Sequence, residues 1–598
     1  MVLKYEKMTK IMIVIVLLLS SHAHLFAGYT SKSVFELYSW LISPNNLYYR
    51  FDVDSTIITY PLLLEPNPEL RGQIGFTAPF PYTDGARPKI EVKVRYKSEN
   101  CPMLYLRLAT IGDCEEIVDT DTLFLPSSKE WITSSQLMNV GTGNLLSLSV
   151  EAIGNSSDKI TTSFERTRIR FENNAKIWID ELEILINGKN LTEVQTNNSL
   201  ATSLTKEDFI SLNGENRHHL PFLNKKVLAI GETVHGTSTM NSVAIEIMKD
   251  RIKNRKCKFV LLEIPLEFSF YINRYVSGDQ RFTLDSISTY FDQLLFSEEF
   301  ISFIHWLKEY NLSLKEKVTF VGIDVDYTDL LAQINLFNFF YAINRGINDN
   351  ELNKICISLL SLNKELPYKT SLAIFDNNQG FNTMLSEKES KLIRSCLTRK
   401  DPISFSYFQR DSIMYEHTRF VVTNLLKDDE TVTVFCHFGH TNYLCEREMV
   451  NSEDWNFGHY MKNEYQEDYS NIALVTEMGN FLTKNGYSKM KEEKLQISPS
   501  NSLEYLMNKQ GIDLCYLSMD KFTYSDVISI RFIGNRNRRQ PFISIIPKSR
   551  MDGVVFIKKS SAIYKSNEIL NKSFDVNIVT MDAFMRASEK RKKIQLEN

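Results

Sequence analysis

At 598 residues the chain is too long for one ordinary hydrophobic core, which implies more than one domain at roughly 100–200 residues each. Hydrophobic residues at 43% and charged residues at 24% describe a globular chain and exclude extensive disorder. Lysine and arginine number 69 against 73 acids, a formal net charge of −4, so no basic face for nucleic acid is expected, and the cluster Lys590–Lys593 reads as a solvated tail.

The first element is a targeting signal. Lys4, Lys7 and Lys10 precede an unbroken apolar run, Ile11–Leu19, with small and polar residues from Ser20 to Ala23. That pattern predicts a signal peptide over residues 1–27, cleaved after Ala23 or Ala27, and export to the periplasm, the cell surface or the medium. A spanning helix needs about 20 apolar residues, so the run is short for a membrane anchor, although an uncleaved peptide is the alternative. Eight cysteines in a chain of this length make no disulfide scaffold. Cys101 and Cys114 sit close enough in a β-rich region to bridge neighbouring strands, and the other six read as small buried hydrophobes.

Residues 28–195 read as β structure. Lys89–Tyr96, Met103–Leu108, Arg166–Phe171 and Lys176–Ile186 alternate polar and apolar side chains with period two, which predicts an antiparallel, jelly-roll-like sandwich. A module of that kind is compatible with a glycan ligand, by fold analogy. The polar stretch Thr192–Asn216 marks a linker, placed over residues 196–220.

From residue 221 to 598 the rhythm changes. Val227–Ile230, Phe259–Leu262, Val318–Ile323, Val432–Phe435, Ile472–Val475 and Val576–Val579 are short apolar runs, read as buried strands. Helical stretches such as Phe268–Tyr275, Phe300–Tyr310 and Phe408–Leu426 separate several of them, so the expectation is an α/β domain with a largely parallel sheet layered with helices.

Four of those runs end on chemistry. The first leads into Gly231-Glu232-Thr233-Val234-His235-Gly236, the second ends at Glu263, the third at Asp324, and the fourth at His437 with His440 three residues on. Ligands of open α/β sheets bind beyond the carboxyl ends of the strands, so these residues are expected around one crevice. An acid at a strand end is often only a helix cap, and a lone histidine is usually a satisfied polar group; the convergence carries the argument. No GxSxG elbow, HExxH helix, P-loop or GxGxxG fingerprint is present. Cys436 and His437 point to opposite faces of a strand and make poor partners. What is left is a histidine that deprotonates water, His235, with Glu232 or Glu263 holding its tautomer and His437 or His440 polarising a carbonyl. Gly231 and Gly236 would let backbone approach a ligand.

GETVHG followed by a helix, LLEI, FISFIHWLKEYN, GIDVDY, RDSIMYEH, CHFGHTNY and FGHYM occur in an order that resembles the erythromycin esterase family, from about Lys225 to near Phe584. The resemblance implies hydrolysis of an ester or lactone with His235 as catalytic base, Glu232 and Glu263 as its glutamates and His437 and His440 as its paired histidines. Arg410, Asp324 and His459 are the residues expected to bind substrate, and no cofactor is implied. Arg410-Asp411 matches the family's RDxxM stretch, to which the sequence assigns no mechanistic role. Val234, Phe438 and Ala244 depart from the family pattern at positions expected to face substrate, so macrolide lactones do not follow as the substrate.

Two other readings compete. A divalent metal in the same crevice would make the chain a metal-dependent hydrolase, because three protein ligands and a water are a usual catalytic set. A non-catalytic protein binding haem, with His235 or His459 as axial ligand, or binding a glycan through its β module, is the other.

Overall fold

The computed structural model describes residues 41–597 except 43–48, 55, 58–60, 67–72, 82–86, 114–115, 154–173, 195–203, 214–217, 219, 285–296, 326–328, 346, 348, 361–366, 379, 381–383, 399–408, 444–454, 486–488, 535–540 and 565–575. The expected signal peptide, the expected strand Arg166–Phe171 and Cys114 of the expected disulfide therefore lie outside the described residues. Among the described residues no helix is long and apolar enough to cross a membrane. The chain forms two compact units that divide close to Asn197–Asn198.

The N-terminal unit is built from antiparallel strands. One sheet has the order β1 (Leu41–Ile42), β4 (Gln73–Pro79), β9 (Leu145–Ile153), β6 (Met103–Ile111), β7 (Ile117–Phe124). The other has the order β2 (Tyr49–Val53), β3 (Leu62–Pro66), β10 (Lys176–Ile186), β5 (Ile90–Glu99), β8 (Ile132–Met138), with β11 (Lys189–Asn190) pairing β10. The cause is legible along β5, where Ile90, Val92, Val94 and Tyr96 are buried and Glu91, Lys93, Arg95 and Lys97 alternate with them on the half-buried face. The Cys101 thiol donates to the Met103 carbonyl at 3.1 Å.

The C-terminal unit is a helix-covered mixed sheet. Its order is β12 (Phe209–Ser211), β19 (Leu514–Ser518), β22 (Gly553–Ser560), β17 (Tyr469–Asn485), β13 (Val227–Glu232), β16 (Thr431–His437), β14 (Cys257–Pro265), β15 (Thr319–Asp324), and β18 (Lys489–Lys494) pairs β17. The strands from β22 to β15 run parallel, and the pairs β12–β19, β19–β22 and β17–β18 are antiparallel. The parallel strands are buried on both faces, as in β13, where every residue is buried, and this is why they read as continuous apolar runs. A hairpin of β20 (Ile528–Arg531) and β21 (Phe542–Ile545) lies beside the sheet order as a separate pair.

The helices that matter for the site are α1 (Ser238–Asn254), α2 (Leu266–Val276), α3 (Glu298–Leu312), α4 (Gln409–Asn424), the single turn α5 (Phe438–Thr441), α6 (Phe457–Tyr465) and α7 (Val576–Glu597). Helix α7 corrects two expectations. Val576–Val579 is not a strand but the first turn of a 22-residue helix, and a four-residue apolar run cannot by itself distinguish the two. Lys590–Lys593 belongs to the same helix: Ala583, Ala587 and Ile594 are buried in the core, and Lys590 donates to Asn338 at 2.8 Å.

The amino ends of the parallel strands are pinned by Arg251 of α1, which is fully buried. Its guanidinium donates to Thr433 Oγ1 at 2.9 Å, to the Leu223 carbonyl at 2.6 Å, and to the Lys225 and Val432 carbonyls at 2.9 and 3.1 Å. A planar fork reaches all of these acceptors at once, and an ammonium does not. Arg251→Met is expected to leave buried carbonyls unpaired and destabilise the C-terminal unit by about 3 kcal/mol, and Arg251→Lys is not expected to restore it. Chemical denaturation of the full chain checks this, and an unchanged midpoint in Arg251→Met contradicts it.

Candidate active site

The strand order places four strand ends in one row. β13, β16, β14 and β15 are consecutive neighbours, so Glu232, His437, Glu263 and Asp324 stand side by side at the carboxyl edge, at about 4.8 Å per strand. Glu232 and His437 are direct cross-strand neighbours. The strand-end residues expected together from the sequence thus stand on adjacent strands, and α5 carries His440 to within 3.6 Å of Glu263.

His235 follows β13 by three residues, and its ring is buried. Nδ1 lies 2.6 Å from Glu232 Oε1. A carboxylate only accepts, so Nδ1 carries the hydrogen and the lone pair of the neutral ring sits on Nε2. The His235 backbone N–H donates to the Ile533 carbonyl at 3.1 Å, and Ile533 N–H donates back to the Thr233 carbonyl at 2.8 Å. This strap, just past β20, fixes the loop that holds the histidine.

His437 is held neutral. Its Nδ1 accepts from Gly439 N–H at 3.1 Å, which leaves the hydrogen on Nε2, 3.3 Å from the Ile533 carbonyl. The ring lies 4.5 Å from that of His235 and 4.9 Å from that of Phe532, centroid to centroid. Burial and the neighbouring His235 push its pKa well below the ordinary histidine value.

His440 is the opposite case. Nδ1 faces Asp411 Oδ1 at 2.8 Å and Nε2 lies 3.6 Å from Glu263 Oε1. Burial disfavours its charge, but Asp411 and Glu263 outweigh burial and the nearby Arg410, and its pKa is raised to about 9.

Glu263 joins these parts. Oε1 accepts from Arg410 Nη2 at 2.7 Å, and Oε2 accepts the His437 backbone N–H at 2.9 Å. Burial would raise its pKa, yet His440, Arg410 and His235 together hold it well below the usual carboxylate range. Arg410 also donates Nε and Nη2 to the two oxygens of Asp324, each at 2.7 Å. Asp324 is wholly buried, so this contact anchors Arg410 rather than reaching solvent.

His459 lies on α6. Its ring stacks on Trp455 at 3.8 Å, Nδ1 faces the Tyr443 carbonyl at 3.1 Å and Nε2 faces Asn463 at 2.7 Å. Cys436 is fully buried and its thiol pKa is pushed well up by burial, which agrees with excluding it as a nucleophile.

The glycines and the three departures from the family pattern are tightly packed. Gly236 takes φ +78°, and a Cβ there would meet the Leu482 carbonyl at 2.0 Å; at Gly231 it would meet Thr441 Oγ1 at 2.3 Å. The close approach they permit is to β17 at Gly236 and to α5 at Gly231. Val234 and Ala244 are fully buried in the hydrophobic core of this unit, and Phe438 is buried beside Gly231. Asp411 and the Ile533 carbonyl are the members the sequence did not assign. Among the described residues no group of three or more His, Cys, Asp or Glu is arranged to hold a metal ion.

Residues 376–560 match the family described as erythromycin esterase. That part of the C-terminal unit is similar to the erythromycin esterase family. The matched segment contains Arg410, Asp411, His437 and His440; Glu232, His235, Glu263 and Asp324 precede it. Three solved structures are similar over most of their own length. A Bacillus cereus protein shares 17% identity over 60% of this chain and 97% of its own, with a TM-score of 0.46. A succinoglycan biosynthesis protein shares 15% over 60% and 96%, with a TM-score of 0.46. A histidine-to-asparagine mutant of erythromycin esterase EreC in its open conformation shares 13% over 58% and 95%, with a TM-score of 0.41. A carbohydrate-binding module in complex with β-1,4-galactotriose shares 11% over 25% and 88%, with a TM-score of 0.18. No curated protein matches the chain.

Proposed function

We propose that the chain is an exported hydrolase that cleaves a carboxylic ester or lactone by direct attack of a histidine-activated water. The observation that carries this reading is the 2.6 Å contact between His235 Nδ1 and Glu232, which commits the Nε2 lone pair of the neutral ring to accepting a proton.

The roles divide by protonation state. His235 Nε2 takes a proton from water as the water oxygen bonds to the carbonyl carbon, and Glu232 stabilises the imidazolium that forms. The carbonyl electron pair moves onto oxygen, where the charged Nε2–H of His440 is the donor suited to an oxyanion. His437 is not suited to that role, because it is held neutral and its Nε2–H faces Ile533. The oxyanion then collapses, the carbon–oxygen bond to the leaving group breaks, and His235 returns its proton to the departing alkoxide. The products are a carboxylic acid and an alcohol, and a lactone yields both on one molecule. A divalent metal activating the water is the competing mechanism; at His440 it would take Nε2 in place of the proton, with Asp411 left on Nδ1.

The test is hydrolysis of an ester and lactone panel by the full chain, with and without chelator. His235→Ala is expected to lose on the order of 10²–10⁴ in rate, with chelator having no effect on the wild type. Equal rates in wild type and His235→Ala contradict the role of His235, and loss of wild-type activity on chelation favours the metal.

For the N-terminal sandwich we propose glycan binding. The supporting observation is an aromatic pair on β6 and β7, Tyr105 and Phe124, with ring centroids 5.8 Å apart and Phe124 70% exposed, where a sugar face can stack. Retention on insoluble polysaccharides should fall at least several-fold in Phe124→Ala, and equal retention of the two proteins would rule this surface out.

A further inference from the structure

Arg410 is engaged by Asp324 and Glu263, and the adjacent Asp411 makes contacts of its own. Asp411 occupies the first turn of α4, where a carboxylate is favoured by the helix dipole, and it uses both oxygens. Oδ1 faces His440 Nδ1 at 2.8 Å, and Oδ2 accepts the backbone N–H of Phe457, the first residue of α6, at 2.8 Å. Because Asp411 can only accept, His440 Nδ1 carries a hydrogen, and the ring is fixed at that end. The other end is not saturated: Nε2 lies 3.6 Å from Glu263 Oε1, which is an ionic contact but too long for a full hydrogen bond.

We propose that Asp411 is a positioning residue, which locks the His440 ring between α4 and β14 so that its Nε2–H stands as a charged donor where the oxyanion develops. The proposal rests on the hydrolytic reading and extends it to a residue that touches no substrate. It also ties the donor to α6 through Phe457, so the seat of α6 and the orientation of His440 depend on one carboxylate.

The electrostatics run the same way. The charged and titratable groups acting on His440 are Asp411 and Arg410 of α4 and Glu263 of β14, and His440 in turn acts on His437 at the end of β16. Arg410 opposes a second positive charge, but its bonds draw it toward Glu263 and Asp324. Two carboxylates on opposite sides of the ring therefore prevail. The His440 pKa is raised to about 9, so the stabilisation from its charge is complete below the ordinary histidine value near 6.5 and is lost as pH rises through about 9.

Asp411→Asn keeps the size of the side chain and an acceptor for Phe457 but removes the charge; Asp411→Glu keeps the charge. The test uses full-length protein with histidine-selective isotope labelling, His440 assigned through His440→Asn, and the pH profile of kcat and KM on the best ester of the panel. In wild type, His440 should titrate near 9 and set the alkaline limb of kcat. In Asp411→Asn both should move toward the ordinary histidine range, so that kcat falls on the order of 100-fold at pH 8.5 with KM little changed and approaches wild type at pH 6. Asp411→Glu should recover most of the alkaline activity. A wild-type His440 that titrates in the ordinary range overturns the proposal without any variant, as does an Asp411→Asn loss equal at every pH, the signature of a merely structural contact. If no ester is cleaved but the titration shifts as expected, the hydrolytic reading fails while the hold of Asp411 on His440 stands.

Discussion

A buried carboxylate, Glu263, meets the Arg410 guanidinium with one oxygen and the His437 backbone amide with the other, while the His440 ring stands 3.6 Å away. Bringing Glu232, Glu263, Asp324 and Asp411 to one sheet edge costs desolvation of several charges, and only paired charge makes that tolerable. Arg410 and protonated His440 supply two cations against those four acids. The remaining negative charge favours the imidazolium that forms on His235 when it takes a proton, so the same arrangement that holds the sheet edge together also assists the proposed proton transfer.

The three histidines are separated by what their Nδ1 atoms meet. A carboxylate on His235 Nδ1 keeps the hydrogen there and leaves the lone pair of the neutral ring on Nε2. A backbone N–H on His437 Nδ1 makes that ring an Nε2–H donor to Ile533 and holds it neutral. A carboxylate on His440 Nδ1 with a second one near Nε2 makes that ring a cation. Identical side chains thus take three states from three local partners, and each state fits a different task. Rigidity comes from packing: Gly231 lets α5 lie against β13, Gly236 lets β17 close over the loop, and Arg251 fixes the far ends of the same strands.

Much of this was legible in the sequence because burial on both faces leaves continuous apolar runs, and each of the four runs that line the site stops at a polar residue. That is why Glu232, Glu263, Asp324 and His437 could be placed at one edge before their order in the sheet was known. The order itself was not legible, since nothing in the chain says that β16 inserts between β13 and β14. Nor could the sequence separate Glu232 from Glu263 as the partner of His235, a choice made by which carboxylate Arg410 has already engaged. The Ile533 strap acts through backbone atoms, which carry no side-chain signature. Val576–Val579 misled because a short apolar run fits either a strand or one turn of a helix.

The most direct test of the account is a crystal structure of the full chain with a tetrahedral phosphonate analogue of a cleaved ester. The account predicts one phosphonate oxygen on His440 Nε2 and a second within hydrogen-bond reach of His235 Nε2, with the Glu232–His235 and Asp411–His440 contacts intact. A phosphonate held by a metal ion, or with its oxygens on His437 and His440 turned away, would contradict it.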